Sequence, residues 1–205
     1  MTEKRFEDNE CFNYSLNDKF VMEDYDGRRL YLNSEIDENV IDSIVFHILR
    51  YNRLDKGKPI EERKPIIIYI HSPGGEIASG FSVVDSITES ETPIYTVNLG
   101  FAASMAFLIF IAGHKRYSFP RSEFLMHDGS SGGVDSTAKM LDYLEFSANQ
   151  LGKMTKQYIL DHTKMTEDFY DKNYRKELYL LPESAKKLGV VDSIIGTDCK
   201  LSEII

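Results

Sequence analysis

The sequence has few cysteines, a shortage of basic residues and no long apolar run, and each shortage excludes a class of protein. Its two cysteines, Cys11 and Cys199, stand near opposite ends and lack the clustered spacing of a disulfide framework or a metal site. Lysine and arginine number 24 against 33 acidic residues, and the net charge of -9 argues against a nucleic-acid partner. The longest apolar run, residues 100–113, is 14 residues long, short of the ~20 that span a bilayer.

The rest of the composition is that of an ordinary globular protein, with 42% hydrophobic and 28% charged residues. A chain of 205 residues is long enough to bury a real core in one domain. Residues 1–8 are charged and polar, without the apolar segment of a signal peptide. We therefore expect a cytoplasmic protein.

Patterns typical of strands and helices alternate after a polar N-terminal segment. Residues 1–27 show no clear periodicity and are expected to form a flexible arm, followed by a single domain over 28–205. Strands are predicted at 28–33, 65–71, 93–98, 115–119, 123–127 and 190–195, and helices at 39–51, 76–90, 104–112, 135–162 and 182–188, with a charged loop over 52–64. This alternation predicts an α/β fold with a mostly parallel sheet, and functional sites in such folds lie beyond the carboxyl ends of the strands.

Ser104 is a lone hydroxyl at the start of a wholly apolar segment. It is either a helix N-cap, a position that serine prefers, or a nucleophile. Small neighbours would give access to a nucleophile, and a helix N-terminus favours a developing negative charge. Taken alone, the segment favours the cap.

Two further groups follow predicted strands and bear on this choice. His127 ends a predicted strand, where it is either a satisfied polar residue or a general base for Ser104. Gly74 and Gly75 form a turn after another strand, and without side chains they leave a backbone N–H free to bind an oxyanion. The histidines share no metal-ligand spacing, so we expect neither a metal nor a cofactor.

Four segments in this order resemble the proteolytic subunit of Clp protease, the ClpP family of self-compartmentalised serine peptidases. They are residues 71–75 (HSPGG), 100–106 (GFAASMA), 125–127 (LMH) and 188–194 (LGVVDSI). The resemblance covers roughly residues 28–196. It implies a crotonase-like fold of spiral ββα units with a protruding handle helix. It also implies heptameric rings stacked into a barrel, to which an AAA+ ATPase feeds unfolded polypeptides.

The resemblance also implies roles for single residues. Ser104 matches the nucleophile and His127 the base, and the backbone N–H groups of Gly75 and Met105 match the oxyanion hole. The predicted helix over 135–162 matches the handle that joins two rings. The family's N-terminal segment forms axial-pore loops, a role that the resemblance implies for residues 1–27.

The resemblance implies a Ser-His-Asp triad, and the chain departs from the family pattern at the acid of this triad. The position twelve residues before Gly189, where the family has aspartate, holds Glu177. A glutamate can accept the imidazole N–H, provided that its extra methylene is accommodated. Asp168 and Asp171 are alternatives, whereas Asp192 has a structural setting.

Other departures lie beside the motifs. The family usually has Asn where this chain has His71, and Gln-Pro where Asp128 and Gly129 follow the catalytic His; the loop around 55–64 is an insertion. The leading hypothesis is therefore a serine endopeptidase. A catalytically silent paralogue that completes a mixed ring is the alternative, and an acyl-CoA-handling crotonase relative is a third.

Overall fold

The computed structural model describes residues 16–129 and 135–204. Its strands are β1 Arg29–Leu32, β2 Ile66–Ser72, β3 Ile94–Ala103, β4 Lys115–Ser118, β5 Glu123–Met126, β6 Leu178–Leu180 and β7 Ser193–Ile194. Its α-helices are α1 Leu16–Asp26, α2 Phe46–Leu54, α3 Ile77–Thr88, α4 Met105–Ala112, α5 Thr137–Phe146, α6 Gly152–His162, α7 Glu167–Asn173 and α8 Pro182–Lys187. Two π-helical turns, Ile41–Val45 and Ser147–Leu151, lead into α2 and join α5 to α6, and 3₁₀ turns lie at Ile60–Glu62 and Leu201–Glu203.

The strands form one sheet in the order β1-β2-β3-β4-β7, with all these pairs parallel. Strand β3 is longer than predicted and changes neighbour along its length, pairing first with β4 and then, over Phe101–Ala103, with β5. The break expected after Asn98 does not occur because the Asn98 side chain bonds to Glu123 O and Gly100 N and so holds β3 beside β5. Strand β3 consequently continues to Ala103, and Ser104 follows it directly.

The buried strand and the apolar helix form the centre of the core. Ile66, Ile68 and Ile70 of β2 are fully buried on one face, and every residue of α4 is buried between the sheet and its neighbouring helices. A smaller apolar cluster covers the other face at Ile67 and Tyr69, so β2 is buried on both faces, as is typical of a strand inside a parallel sheet. His71 lies beyond that cluster and is exposed.

The N-terminal arm contains regular structure that the sequence pattern did not predict. Residues 16–26 form α1, where the flexible arm was expected, while residues 1–15 lie outside the described part of the chain. The helix expected over 135–162 is observed over 137–162, with the π turn in its middle, and the name handle is kept for it below. Helix α7 and strand β6, within 163–181, were missed, and β7 is shorter than predicted. No helix in the described residues is long and apolar enough to cross a membrane.

A buried ion pair anchors the start of the domain to the charged loop. Arg28 donates to both carboxylate oxygens of Asp55, at 2.8 Å to Oδ1, and the Asp55 side chain is fully buried. Lys58 and Thr92 also donate to that carboxylate, at 2.9 and 3.0 Å. The hydrogen bond from Arg28, foremost among these contacts, holds the pKa of Asp55 well below its usual range.

Asp55→Asn should lower the free energy of unfolding by about 3 kcal/mol at pH 7, because it leaves a buried guanidinium without its counter-ion. The pKa of Asp55 is lower in the folded protein than the value of about 3.9 for aspartate in an unfolded chain. The ion pair therefore stabilises the fold fully above pH ~4, and this contribution is lost as the pH falls below that value. Denaturant unfolding across this range checks both points. Asp142→Asn, at an exposed residue of α5, is the control. If the free energy of unfolding of Asp55→Asn fell at low pH as steeply as that of the unmodified chain, the assignment would be contradicted.

Candidate active site

Ser104 occupies the sharp turn between β3 and α4 in a strained backbone conformation. Its φ and ψ of 54° and -122° lie in a region that costs a residue with a side chain roughly 1–3 kcal/mol. It stands at the N-cap position of α4, but its side chain makes no capping hydrogen bond. Its N–H donates to Leu125 O at 2.9 Å, which ties the turn to β5. The hydroxyl is therefore presented at the end of the sheet without being used as a cap.

The glycine turn after β2 packs directly on the Ser104 turn. Gly74 has a φ of +93°, and a Cβ there would lie 2.6 Å from Ala103 O, 2.7 Å from Ser104 Cβ and 2.9 Å from Met105 N. Any side chain at this position would therefore push the two turns apart. Both the backbone conformation and the close approach require glycine at position 74.

Two backbone N–H groups are free of the sheet and helix bonding at this contact. Gly75 forms a parallel bridge with Ile36, in which Ile36 N donates to Gly74 O and Glu76 N to Ile36 O, each at 2.8 Å. These bonds use the groups on either side of Gly75, so its own N–H points away from Ile36. Met105 is the first residue of α4, and its N–H has no partner within the helix. Such a pair of donors suits a developing oxyanion.

His127 follows β5 and lines the same cavity as Ser104. The cavity has a volume of about 80 Å³, and the remaining lining is mostly apolar, with contributions from Ile77, Phe81, Met105, Phe107, Leu108, Met126, Gly129, Thr155 and Ile159. Ala103 pairs with Leu125, so Ser104 and His127 stand at the ends of adjacent strands. Among the described residues, no hydrogen bond joins the Ser104 hydroxyl to the His127 ring. The structure thus brings the predicted nucleophile and base together without a direct bond.

The register of β5 and β6 places Glu177 beside His127. These strands are antiparallel, with Leu125 opposite Tyr179 and Met126 opposite Leu178. The pairing ends there, so His127 directly follows β5 and Glu177 directly precedes β6 at the same end of this strand pair. Glu177 is exposed, and its Oε2 accepts a hydrogen bond from the Tyr179 hydroxyl at 2.9 Å. In the described part of the structure it makes no hydrogen bond with His127.

The other candidate acids have different neighbours. Lys156 donates to Asp171 at 2.7 Å and to Glu167 at 2.8 Å, so the Asp171 carboxylate is held by a handle lysine. Asp168 is exposed in the first turn of α7. Arg116 forms two side-chain hydrogen bonds with Asp192, at 2.7 and 3.0 Å, as its predicted structural role requires. Of these carboxylates, Glu177 is the one that stands beside the last β5–β6 pair, at the end of the strands where His127 lies.

Comparisons with known proteins agree with this arrangement. A sequence model of the Clp protease family matches residues 15–198. The chain belongs to the Clp protease family. A solved structure of a ClpP1 mutant from Listeria monocytogenes superposes with a TM-score of 0.72 at 20% identity, over 91% of this chain and 99% of that one. At this identity the likeness shows the fold alone, and it confirms the predicted ClpP-type α/β architecture.

Three of the four histidines outside the site make local contacts in this Clp family chain. His114 Nδ1 accepts from Ile94 N, His162 Nδ1 contacts Tyr158 O, and the His47 ring stacks on Tyr25 at 4.3 Å. Burial lowers the pKa of both His47 and His114. Within 16–129 and 135–204, no three histidine, cysteine or acidic side chains come together as a metal ion would need.

Sequence reasoning missed the contribution of Tyr179 and of the cavity wall. Tyr179 belongs to β6, a strand of three residues that carries no clear alternation. Its position two residues after Glu177 would have placed both side chains on one face, had the strand been recognised. Phe81 and Thr155 come from α3 and α6, and only the packing of those helices against α4 brings them to Ser104.

Proposed function

We propose that this Clp family chain is a serine endopeptidase subunit with Ser104 as nucleophile and His127 as base. The observation that carries the proposal is that Ser104, strained and uncapped, shares one small cavity with His127 at the ends of adjacent strands. The close approach of the Gly74 turn to Met105, so close that a Cβ on Gly74 would lie 2.9 Å from Met105 N, supports an oxyanion hole formed by the Gly75 and Met105 amides. Family membership supports a serine peptidase as the general activity.

The proposed reaction follows from these positions. His127 accepts the Ser104 hydroxyl proton while Oγ bonds to the peptide carbonyl carbon, and the carbonyl π electrons move to its oxygen. The N–H groups of Gly75 and Met105 stabilise that oxyanion, a contribution worth roughly 10²–10³ in kcat for a single donor. The imidazolium then protonates the amine as the C–N bond breaks. Water releases the acyl group by the same steps in reverse, with Glu177 accepting the imidazole N–H throughout.

We propose unfolded polypeptides as substrates, cleaved inside an assembly of rings fed by an AAA+ ATPase. The mostly apolar cavity beside Ser104 fits an apolar side chain next to the scissile bond. The handle carries exposed apolar side chains, as do α1, α2 and the charged loop, and large apolar patches mark interaction surfaces. On the handle these are Met140, Leu141, Tyr143, Leu144, Phe146 and Met154; elsewhere they include Phe20, Val21, Met22, Phe46, Leu49, Leu54 and Ile60. We assign the handle surface to contact between rings.

Labelling with a fluorophosphonate probe tests the nucleophile. The probe should attach covalently to Ser104, because an activated hydroxyl attacks phosphorus and displaces fluoride. Mass spectrometry of the labelled chain locates the adduct, and Ser104→Ala should abolish it. Ser136→Ala is a matched control, since Ser136 is also an N-cap serine without a capping bond. Labelling that persists in Ser104→Ala would refute the assignment.

The silent-paralogue alternative rests on the missing bond between Ser104 and His127. Catalytic hydrogen bonds are often long in the absence of substrate, so this geometry fits an enzyme as well. The same experiment separates the two functions. A folded protein that takes no label and cleaves no short peptide would be a ring subunit without catalytic activity.

A further inference from the structure

Tyr179 and the proposed acid, Glu177, lie next to one another at the start of β6, beside the strand end that carries His127. Leu125 and Tyr179 are opposite one another in the β5–β6 register, and the last pair of that register, Met126 and Leu178, directly precedes His127 and directly follows Glu177. Side chains two residues apart in an extended chain share a face, and the hydrogen bond between Tyr179 and Glu177 shows that these two do. The intervening pair, Met126 and Leu178, points to the other face, into the core.

The Tyr179 hydroxyl bonds to one oxygen of the Glu177 carboxylate and leaves the other open. It donates to Oε2 at 2.9 Å, whereas Oε1 makes no hydrogen bond with any of the described residues. This hydrogen bond, the first cause of the change, raises the pKa of Tyr179, so the hydroxyl remains a donor at neutral pH. The Tyr179 side chain is 56% exposed, so we expect the loss of its hydroxyl to change the stability of the fold little.

A glutamate needs such a partner more than an aspartate does. Its additional side-chain torsion multiplies the positions that the carboxylate can occupy, and fixing it has an entropic cost. A triad acid must hold the imidazole in one orientation and tautomer. A donor that fixes Oε2 removes much of this freedom and directs Oε1 towards the strand-end histidine.

We propose that Tyr179 is a positioning residue that lets Glu177 serve as the acid of the triad. The inference rests on the proposed function, since it requires Ser104 and His127 to be active. Tyr179 does not contact the substrate; it acts through the Glu177 carboxylate. The chain thereby compensates for the longer acid with a hydroxyl two residues further along the same strand.

Tyr179→Phe tests the inference because it removes only the hydroxyl. We expect kcat for a short peptide to fall by about 3- to 30-fold with KM unchanged. The acidic limb of the pH–rate profile should move to lower pH, because a poorly held carboxylate stabilises the imidazolium less. Tyr31→Phe is the matched control. Tyr31 belongs to β1, is 44% exposed and donates a hydrogen bond to the Asp24 carboxylate of α1 at 2.9 Å. It should leave both kcat and the profile unchanged.

A double-mutant cycle separates positioning from a general effect. In a Glu177→Gln background, Tyr179→Phe should change kcat less than about twofold, because the carboxylate on which it acts is gone. An unaltered kcat and pH profile in Tyr179→Phe would overturn the inference, as would an equal loss in both backgrounds. These outcomes differ from failure of the proposed function, in which the unmodified chain would take no fluorophosphonate label at all.

Discussion

Gly74→Ala should lower kcat/KM for a short peptide by at least about 100-fold, although residue 74 contributes no side chain to the reaction. The new Cβ would lie within 2.9 Å of three atoms of the Ser104 turn, namely Ala103 O, Ser104 Cβ and Met105 N. The turn must move, and Met105 N moves with it away from the Gly75 N–H. A displacement of ~1 Å at a catalytic group is enough for a loss of this size. Peptide hydrolysis and the labelling rate at Ser104 measure it.

Gly57→Ala is the matched control for this substitution. Gly57 has a similar φ of +84°, but a Cβ there would meet nothing within 4 Å. It therefore reproduces the backbone strain of an alanine at positive φ without the clash. Both variants should lose some stability, and only Gly74→Ala should lose activity. Equal activity in the two would show that the Gly74 contact does not hold the site.

Glu177→Gln should lower kcat by about 10²- to 10⁴-fold, the scale expected when a triad carboxylate becomes an amide. The amide has nearly the same shape, so the β5–β6 pairing is retained. It no longer carries the negative charge that stabilises the imidazolium, and its NH₂ group favours the wrong tautomer of His127. Hydrolysis of a short peptide, with circular dichroism to confirm folding, measures the effect.

The other two candidate acids supply the controls for this result. Asp171→Asn breaks one of the Lys156 bonds and Asp168→Asn alters an exposed residue of the same helix. Each should change kcat less than about threefold, because neither is aligned with His127 in the sheet. A loss of 10²-fold in either, with an active Glu177→Gln, would transfer the role of the acid to that aspartate.

The sequence was sufficient to predict the strands that lead to the candidate site, although not that β3 continues to Ala103. Continuous apolar runs bounded by Pro65 and Pro93 marked β2 and β3, and Ser104 and His127 followed directly from their positions after strands. The resemblance to the family, through the spacing from Gly189, also pointed to Glu177 without any structure. These patterns give the order of the strands and helices along the chain. The general rule that functional sites lie beyond the carboxyl ends of parallel strands then predicts where the site is.

The rest depends on pairing between distant segments. Strand β6 has three residues, Leu178–Leu180, too few to show a period of two, so its antiparallel pairing with β5 was not visible. That pairing alone brings Glu177 and His127 to the same end of two neighbouring strands, and the Tyr179 hydroxyl to Glu177. Helix α1 was missed for a different reason: six of its eleven residues are polar, those from residue 19 onwards are mostly exposed, and the sequence shows no apolar stripe.

The π turn within the handle determines in which direction the apolar side chains before and after it point. Tyr143, Phe146, Leu151, Met154 and Tyr158 line one groove of about 770 Å³ against α3. In a regular α-helix the five-residue step from Phe146 to Leu151 would rotate the side chain by about 140° out of line. A π turn takes up the extra residue, so the stripe continues along the same side. One inserted residue thus keeps about 22 Å of handle facing one way.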